Sequence, residues 1–345
     1  MRLETRPSAP VDGPAIADLL REVGLFSNML PAQQHWKYWQ QRTDWPEARS
    51  FVMGRGSEIV AHACIIPGCY ASARGSGRIG HVIDWAALPS VPGAGMSLMK
   101  HMARHAGALL AIGGSEQTLK ILPVLGFKPQ VSVTGYVRTL RPSRLLYGAG
   151  KLNWRLLARF ARSSLWTSTA TLDHGRDWTV RCVSPDDVDL VSTVLPMPGA
   201  DDAVLERSTA LFRYMLSSPI APMELYVLQK SGVVHGYFLL SFVGSQARLA
   251  DCWIASRNPF DWRDLMQCAV REAMRRTHIA EIVTWASDPV LSNCLLRCGF
   301  HARNTRIVQS LAVEDSTMVD GNIRVQMLDN DAAYLHHPEQ EELWA

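Results

Sequence analysis

The stretch LPSVPGAGMSLMKHM, residues 88–102, sets Gly93 and Gly95 between an apolar run and a helix-like repeat, with Asp84 inside that run four positions upstream. A strand that turns through glycines into a helix N-terminus gathers unpaired backbone N–H groups at the positive end of the helix dipole. That is a seat for an anion. A carboxylate in an apolar strand is desolvated, so Asp84 is expected to titrate near neutrality and act as a general base; the other reading is a structural acid bonded to backbone or an arginine. His81 is the second candidate base. Because 81 and 84 differ by an odd number, alternation sends their side chains to opposite sheet faces. Tyr70 and Trp85 are candidates for lining an acceptor pocket, with core packing as the alternative. Asp251, in RLADCWI (248–254), repeats the setting of Asp84 in HVIDWA (81–86), either as inherited scaffolding or as part of a substrate site.

The elements that must hold these residues follow from period and punctuation. A short strand over 3–8 is broken at 10–13, and Asp12 is placed to cap a helix carrying Ile16, Leu19 and Leu20 up to Gly24. A second helix is predicted over 31–42. The period then changes to two, predicting hairpin strands over 51–53 and 58–73 and another strand over 78–88. Beyond the glycine loop come a helix over 95–105, a buried strand over 108–112, a helix from Ser115 to Gly126 and a strand over 131–140. His101 and His105 lie one turn apart on the loop's helix and have no carboxylate motif beside them, which makes them surface residues.

Much of this order recurs. SEQTLKILPVLGF (115–127) and SDPVLSNCLLRCGF (287–300) each run through a short apolar helix into Gly-Phe and then a strand. An internal duplication accounts for these coincidences together with the Asp84 and Asp251 pair. It divides the chain into a domain over 1–140, a linker over 141–177, a second domain over 178–313 and a strand with an acidic tail over 314–345.

Two familiar phosphate loops do not fit the glycine turn. A Walker loop needs Gly-Lys-Ser/Thr, whereas Gly95 is followed by Met96 and Ser97; a dinucleotide fingerprint needs a glycine where Leu98 stands. The segment 90–95, Ser-Val-Pro-Gly-Ala-Gly, instead resembles the pyrophosphate loop of the GNAT superfamily of acyl-CoA N-acyltransferases, Arg/Gln-x-x-Gly-x-Gly/Ala. Ser90 replaces the usual first residue and Pro92 lacks an N–H. The helix ending in Leu-Gly-Phe strengthens the resemblance, with Ser115 at the family's Asn position and Leu122 at its Tyr position. In the second half, ASRNPFDW (255–262) lacks both glycines and carries Asp261.

The resemblance implies an α/β fold of two tandem GNAT-like domains, each a mixed, mostly antiparallel sheet flanked by helices, with the second domain degenerate. It implies an acetyl-CoA or other acyl-CoA held by the backbone of Ala86, Ala87 and Leu88 and by Val91, Gly93, Ala94, Gly95, Met96 and Ser115. Asp84 and His81 would then be catalytic, and Trp85, Tyr70 and Asp251 would face the acceptor, a primary amine. The carboxy-terminal stretch also looks like the end of bacterial tandem acyltransferases of surface polysaccharide biosynthesis, which implies an amino-sugar acceptor. A FemAB-like aminoacyl-tRNA-dependent transferase, a non-catalytic acyl-CoA-binding scaffold and a membrane-associated assembly factor fit parts of the same pattern.

Composition narrows the setting. With 35 Lys and Arg against 32 Asp and Glu, the net charge of +3 demands no nucleic acid, and 47% hydrophobic residues describe a folded chain. Seven cysteines without Cys-x2-Cys spacing read as reduced thiols of a cytoplasmic protein; Cys294 and Cys298 share a helix face but lack the second pair of a zinc site, so no metal is expected. Residues 141–172 hold six basic residues and no acid. Lys151, Arg155, Arg159 and Arg162 at helical spacing predict a basic amphipathic helix, either packed on a domain or touching an anionic membrane.

Overall fold

The computed structural model describes residues 3–25, 29–56, 58–144, 160–161, 164, 178–199, 202–312 and 322–335. The first half runs β1 (Glu4–Pro7), α1 (Gly13–Glu22), α2 (Pro31–Gln34) continued by a π-helical turn over His35–Trp39, then β2 (Ser50–Arg55), β3 (Glu58–Ser72), β4 (Gly75–Ala87), α3 (Ala94–Ala106), β5 (Ala108–Ile112), α4 (Glu116–Val124) and β6 (Lys128–Thr139). The second half runs β7 (Thr179–Val183), a 3-10 segment (Pro185–Val194), β8 (Asp202–Leu205), α5 (Thr209–Leu216), β9 (Met223–Lys230), β10 (Val233–Val243), β11 (Gln246–Ile254), α6 (Pro259–Arg275), β12 (Glu281–Ala286), α7 (Pro289–Arg297) and β13 (His301–Ala312). A tail of β14 (Asn322–Arg324) and two 3-10 turns, Met327–Asp329 and Asp331–Ala333, follows.

The α/β class and the repeat are as expected, with one addition: the two halves share a single 14-stranded sheet. Its order, β1-β2-β3-β4-β5-β13-β6-β12-β11-β10-β9-β7, shows that each half has given its last strand to the other. Strand β13 lies between β5 and β6, antiparallel to both, and β6 pairs with β12 from Glu281↔Thr139 to Ala286↔Thr134. The boundary near residue 140 therefore does not divide the sheet. Equivalent parallel pairs, β4 with β5 and β11 with β12, occupy equivalent places.

Apolar faces explain the helices. Ile16, Leu19 and Leu20 of α1 and Leu98, Met99 and Met102 of α3 pack into one cluster on the first half, while α6 and α7 cover a second cluster on the other. A third cluster joins the halves. Trp36 stacks on Tyr214 at 4.7 Å, meets Tyr334 of the tail edge-on, donates to the Tyr214 carbonyl and accepts at its own carbonyl from the Tyr214 hydroxyl.

Two local expectations change. Asp12 precedes α1, but its carboxylate turns back to the Ala9 N–H at 2.8 Å and to the Arg6 guanidinium at 2.7 Å, because that side chain has two strong donors close by. The second helix ends at residue 39 with π-helical geometry. The predicted basic helix falls largely on 145–159 and 162–163, outside the described residues.

Interleaved final strands leave neither half a complete sheet, so heating should give one calorimetric transition with equal calorimetric and van't Hoff enthalpies. Two resolved transitions assignable to 1–140 and 178–335 would contradict the exchange.

Candidate functional site

Asp84 sits where β4 breaks register with β3: Ala86 pairs with His62 and Ile83 with Cys64, so two residues of β4 oppose one of β3. At the break Asp84 is left-handed, φ +50, which costs a non-glycine residue roughly 1–2 kcal/mol. Surrounding bonds hold it there. His62 Nδ1 donates to the Asp84 carbonyl at 3.2 Å, and His62 Nε2 meets Ser50 Oγ at 2.9 Å. Since a carbonyl only accepts, Nδ1 carries the ring proton, and burial keeps the ring neutral by lowering its pKa to about 4.

The carboxylate of Asp84 meets Lys37 Nζ at 2.6 Å and Tyr38 Oη at 2.7 Å, both supplied by the π-helical turn. Burial pushes this carboxyl up, but the ammonium and the phenol outweigh burial and hold it below the ordinary carboxylate range. The expected elevation is therefore reversed: Asp84 is an ionised, capped member of a buried pair, and no base poised near neutrality. Lys37 Nζ also lies 3.9 Å from Asp331 of the tail. Burial raises the Asp331 carboxyl, partly offset by Lys37, to about 6.

His81 does not lie apart from this network, because the break in β4 upsets simple alternation. Its Nε2 meets Asn330 Nδ2 at 3.0 Å, next to Asp331. Asn330 Oδ1 accepts from the Ala332 N–H at 2.8 Å, which orients the amide so that Nδ2 donates to His81. Burial lowers the His81 pKa to about 3, against a small opposing effect of the Asp329 carbonyl, so the ring is neutral. A neutral ring that accepts at Nε2 carries its proton on Nδ1, and Nδ1 makes no close hydrogen bond among the described residues, the Asp329 backbone acting on the ring from outside close hydrogen-bond geometry.

Strands β4 and β5 pair only at Gly80↔Leu109 and His81↔Leu110 and then part, leaving a gap along residues 82–87. The glycine turn stands at the end of that gap. Gly93 is left-handed, φ +83, and precedes α3 with open space where a Cβ would be. Gly95 has no such space: a Cβ there would lie 3.2 Å from both Ala87 Cβ and Trp85 Nε1, and the Trp85 indole donates to the Gly95 carbonyl at 3.0 Å. The Val91 and Ala94 amides bond within the turn, to the Leu88 and Val91 carbonyls. Among the described residues, no protein acceptor meets the N–H groups of Gly93, Gly95 and Met96.

The second half treats the same gap differently. Beyond Arg248↔Val283, β11 and β12 also part, and the tail enters: the Gln326 amide takes the Cys252 N–H at 3.1 Å and gives to the Cys252 carbonyl at 3.0 Å, while Gln326 bridges to Ala286 on the facing strand. The N-terminus of α6 is capped by its own Asn258, and Asp261 bonds Ser256 Oγ at 2.5 Å.

The remaining expected residues disperse. Asp251 is fully buried, held by Arg207 Nε and Nη2 at 3.0 and 2.8 Å and by Tyr237 Oη at 2.7 Å, so no substrate reaches it. Tyr70 packs its ring on Gly77, where any Cβ would collide with it, and belongs to the core. Trp85 covers the glycine turn. Ala86 and Ala87 line the β4 edge, the Leu88 N–H is used by the Val60 carbonyl, and Ser115 caps α4 by accepting from the Thr118 N–H at 3.1 Å. His101 and His105 lie beside Phe51. Lys37, Tyr38, His62, Asn330 and Asp331 escaped the sequence reading; the polar pair inside HWKYW, an otherwise aromatic run, is the signal that could have exposed the first two.

No sequence family and no curated protein matches the chain. Solved structures do. A probable N-acyltransferase of Enterococcus faecalis superposes over 91% of this chain and 73% of its own, TM-score 0.60, at 10% identity. A tandem GNAT protein of the clavulanic acid biosynthesis pathway matches over 90% of this chain and 98% of its own, TM-score 0.57, at 12% identity. N-myristoyltransferase of Saccharomyces cerevisiae, solved with myristoyl-CoA, matches over 93% of this chain and 86% of its own, TM-score 0.59, at 11% identity. The chain has a tandem GNAT fold. In this GNAT fold the amino-terminal half keeps an open β4–β5 gap, and the carboxy-terminal half fills the equivalent one with its own tail.

Lys37→Met removes one partner of a buried pair and should lower the unfolding free energy in urea by about 3–5 kcal/mol, with Lys37→Met/Asp84→Leu recovering much of it. A Lys37→Met protein as stable as the parent would show that the pair does not hold this site.

Proposed function

We propose that the chain is an acyl-CoA-dependent N-acyltransferase with one cofactor site, in its amino-terminal half, acting on a primary amine. The supporting observation is the contrast between two equivalent gaps in one polypeptide. Beside β4 the gap ends at a glycine turn where three amides meet no acceptor among the described residues; beside β11 it is closed by Gln326. In this reading the pyrophosphate lies on the Gly93, Gly95 and Met96 amides, and the pantetheine arm runs along the β4 edge past Ala87 and Ala86 as an added strand. The thioester then stands level with the Asp84 bulge. Acyl-CoA supplies the activated carbonyl, and the chain holds it beside the amine.

A free amine is needed for attack, so a base must take the ammonium proton. Asp84 is a poor choice, since its Oδ2 serves both Lys37 and Tyr38 and they hold the carboxyl below the ordinary range. We assign the role to Asp331: its side chain is 16% exposed, against 4% for Asp84 and 1% for Lys37, and its pKa near 6 leaves it ionised yet basic at neutral pH. Lys37 and Asp84 would then be positioning residues. The acceptor to test first is an amino sugar, and the unpaired thiols suit a reducing cytoplasm.

Isothermal titration with acetyl-CoA and longer acyl-CoAs should give one site per chain, and Gly93→Val should weaken it at least tenfold by placing a side chain where phosphate approaches backbone. A stoichiometry of two, or no binding by the parent, would refute the single-site reading. Because Asp331 must be deprotonated, the acyl-transfer rate should climb as pH rises through about 6. Asp331→Asn should lose that limb and at least tenfold in kcat, while acyl-CoA affinity stays; an unchanged limb would remove Asp331 from the mechanism.

A further inference from the structure

A cleft of about 200 Å³ opens where β3 and β4 of the first half face the β8–α5 turn and the tail. That is room for roughly six or seven waters at 30 Å³ each, hence for a small molecule or the tip of a larger one. Its walls are apolar, formed in part by Ile66, Ile79, Leu110 and Leu205. Its cations are already matched. Arg42 is held by both oxygens of Asp44 at 3.0 and 2.7 Å, and Arg207 is held by Asp251 and by Asp329 at 2.7 Å. Glu206 is different: it is exposed and has no partner among the described residues. The lining thus carries one carboxylate in excess, which favours a cationic guest.

His81 supplies the second feature. Its ring lines this cleft, is 4% exposed, and carries an Nδ1–H donor that makes no close hydrogen bond among the described residues, the Asp329 backbone interacting with the ring only outside close hydrogen-bond geometry. A buried donor left unmet costs about 1–3 kcal/mol, so a ligand oxygen that accepts from it has something to gain.

We propose that the cleft binds a compact amino alcohol, its ammonium toward Glu206 and a hydroxyl oxygen accepting from His81. Amino sugars are cyclic members of that class. This binding does not depend on the transferase reading.

Gly68 provides the test. It lies in β3 opposite Ile79, lines the cleft, has ordinary strand geometry and has no atom within 4 Å of where a Cβ would stand. Gly68→Phe should therefore fill the cleft with a residue strands favour and leave the fold intact, as checked by circular dichroism and melting temperature. On the full chain, 2-aminobutan-1-ol and glucosamine would be titrated with butane-1,2-diol and n-butylamine as controls, following the His81 ring signals by 1H–15N NMR. Amino alcohols should bind at least tenfold more tightly than either control, Glu206→Gln should weaken them at least fivefold, and Gly68→Phe should abolish binding. Equal binding of the diol, no binding of amino alcohols to the parent, or full binding by a folded Gly68→Phe protein would each overturn the proposal. Acetyl-CoA titrated into the same samples separates the two readings: cofactor binding without amino-alcohol binding defeats only the cleft, and the reverse defeats only the transferase.

Discussion

The buried ion pair between Lys37 and Asp84 is the constraint from which the rest of the site follows. Two charges taken out of water are tolerable only with close geometry and further hydrogen bonds, and here 2.6 Å of separation, the Tyr38 hydroxyl and the His62 support of the strand break provide both. The duplicate position reaches the same end with other residues. Asp251 has Arg207 and Tyr237 in place of Lys37 and Tyr38. Each cation then has charge to share, and the tail brings a carboxylate to each: Asp331 near Lys37 and Asp329 on Arg207. The tail is thus fastened to both halves through the two cations that pair with their buried acids.

That fastening explains why two copies of one architecture offer different surfaces. The segment 322–335 runs from β14, paired to β8, through Gln326 in the β11–β12 gap, to Asn330 and Asp331 beside His81 and Lys37. It shuts one gap and furnishes the other half with two of its polar residues. The exchange of β6 and β13 makes the arrangement rigid, because one flanking strand of each gap, β5 or β12, pairs with a strand that the other half contributes.

The elements were largely legible because they depend on local pattern. Alternation located β3, β4 and β6, a continuous apolar run located β5, the apolar spacing of α1 and α3 gave their buried faces, and the shared Leu-Gly-Phe and Cys-Gly-Phe endings exposed the repeat. Strand exchange was not legible, since β6 and β13 alternate in the same way and either could sit beside β5. Asp84 was singled out correctly as unusual, but the direction of its shift depends on Lys37, 47 residues away in sequence, and on a left-handed residue that breaks the parity separating it from His81. Trp85 and Tyr70 were placed toward an acceptor by their type; the glycines they cover, Gly95 and Gly77, decide otherwise.

The carboxamide of Gln326 spans the backbone N–H and carbonyl of one β11 residue, as a neighbouring peptide unit would. Being tethered to the strand system it occupies, such a group acts at an effective concentration on the order of millimolar, so a competitor diffusing at micromolar levels must bind roughly a thousandfold more tightly to displace it. The two halves therefore differ twice over at equivalent places: a few residues of appended chain occupy the strand edge of one, and the same half lacks the glycines that shape the turn at Gly93 and Gly95 in the other.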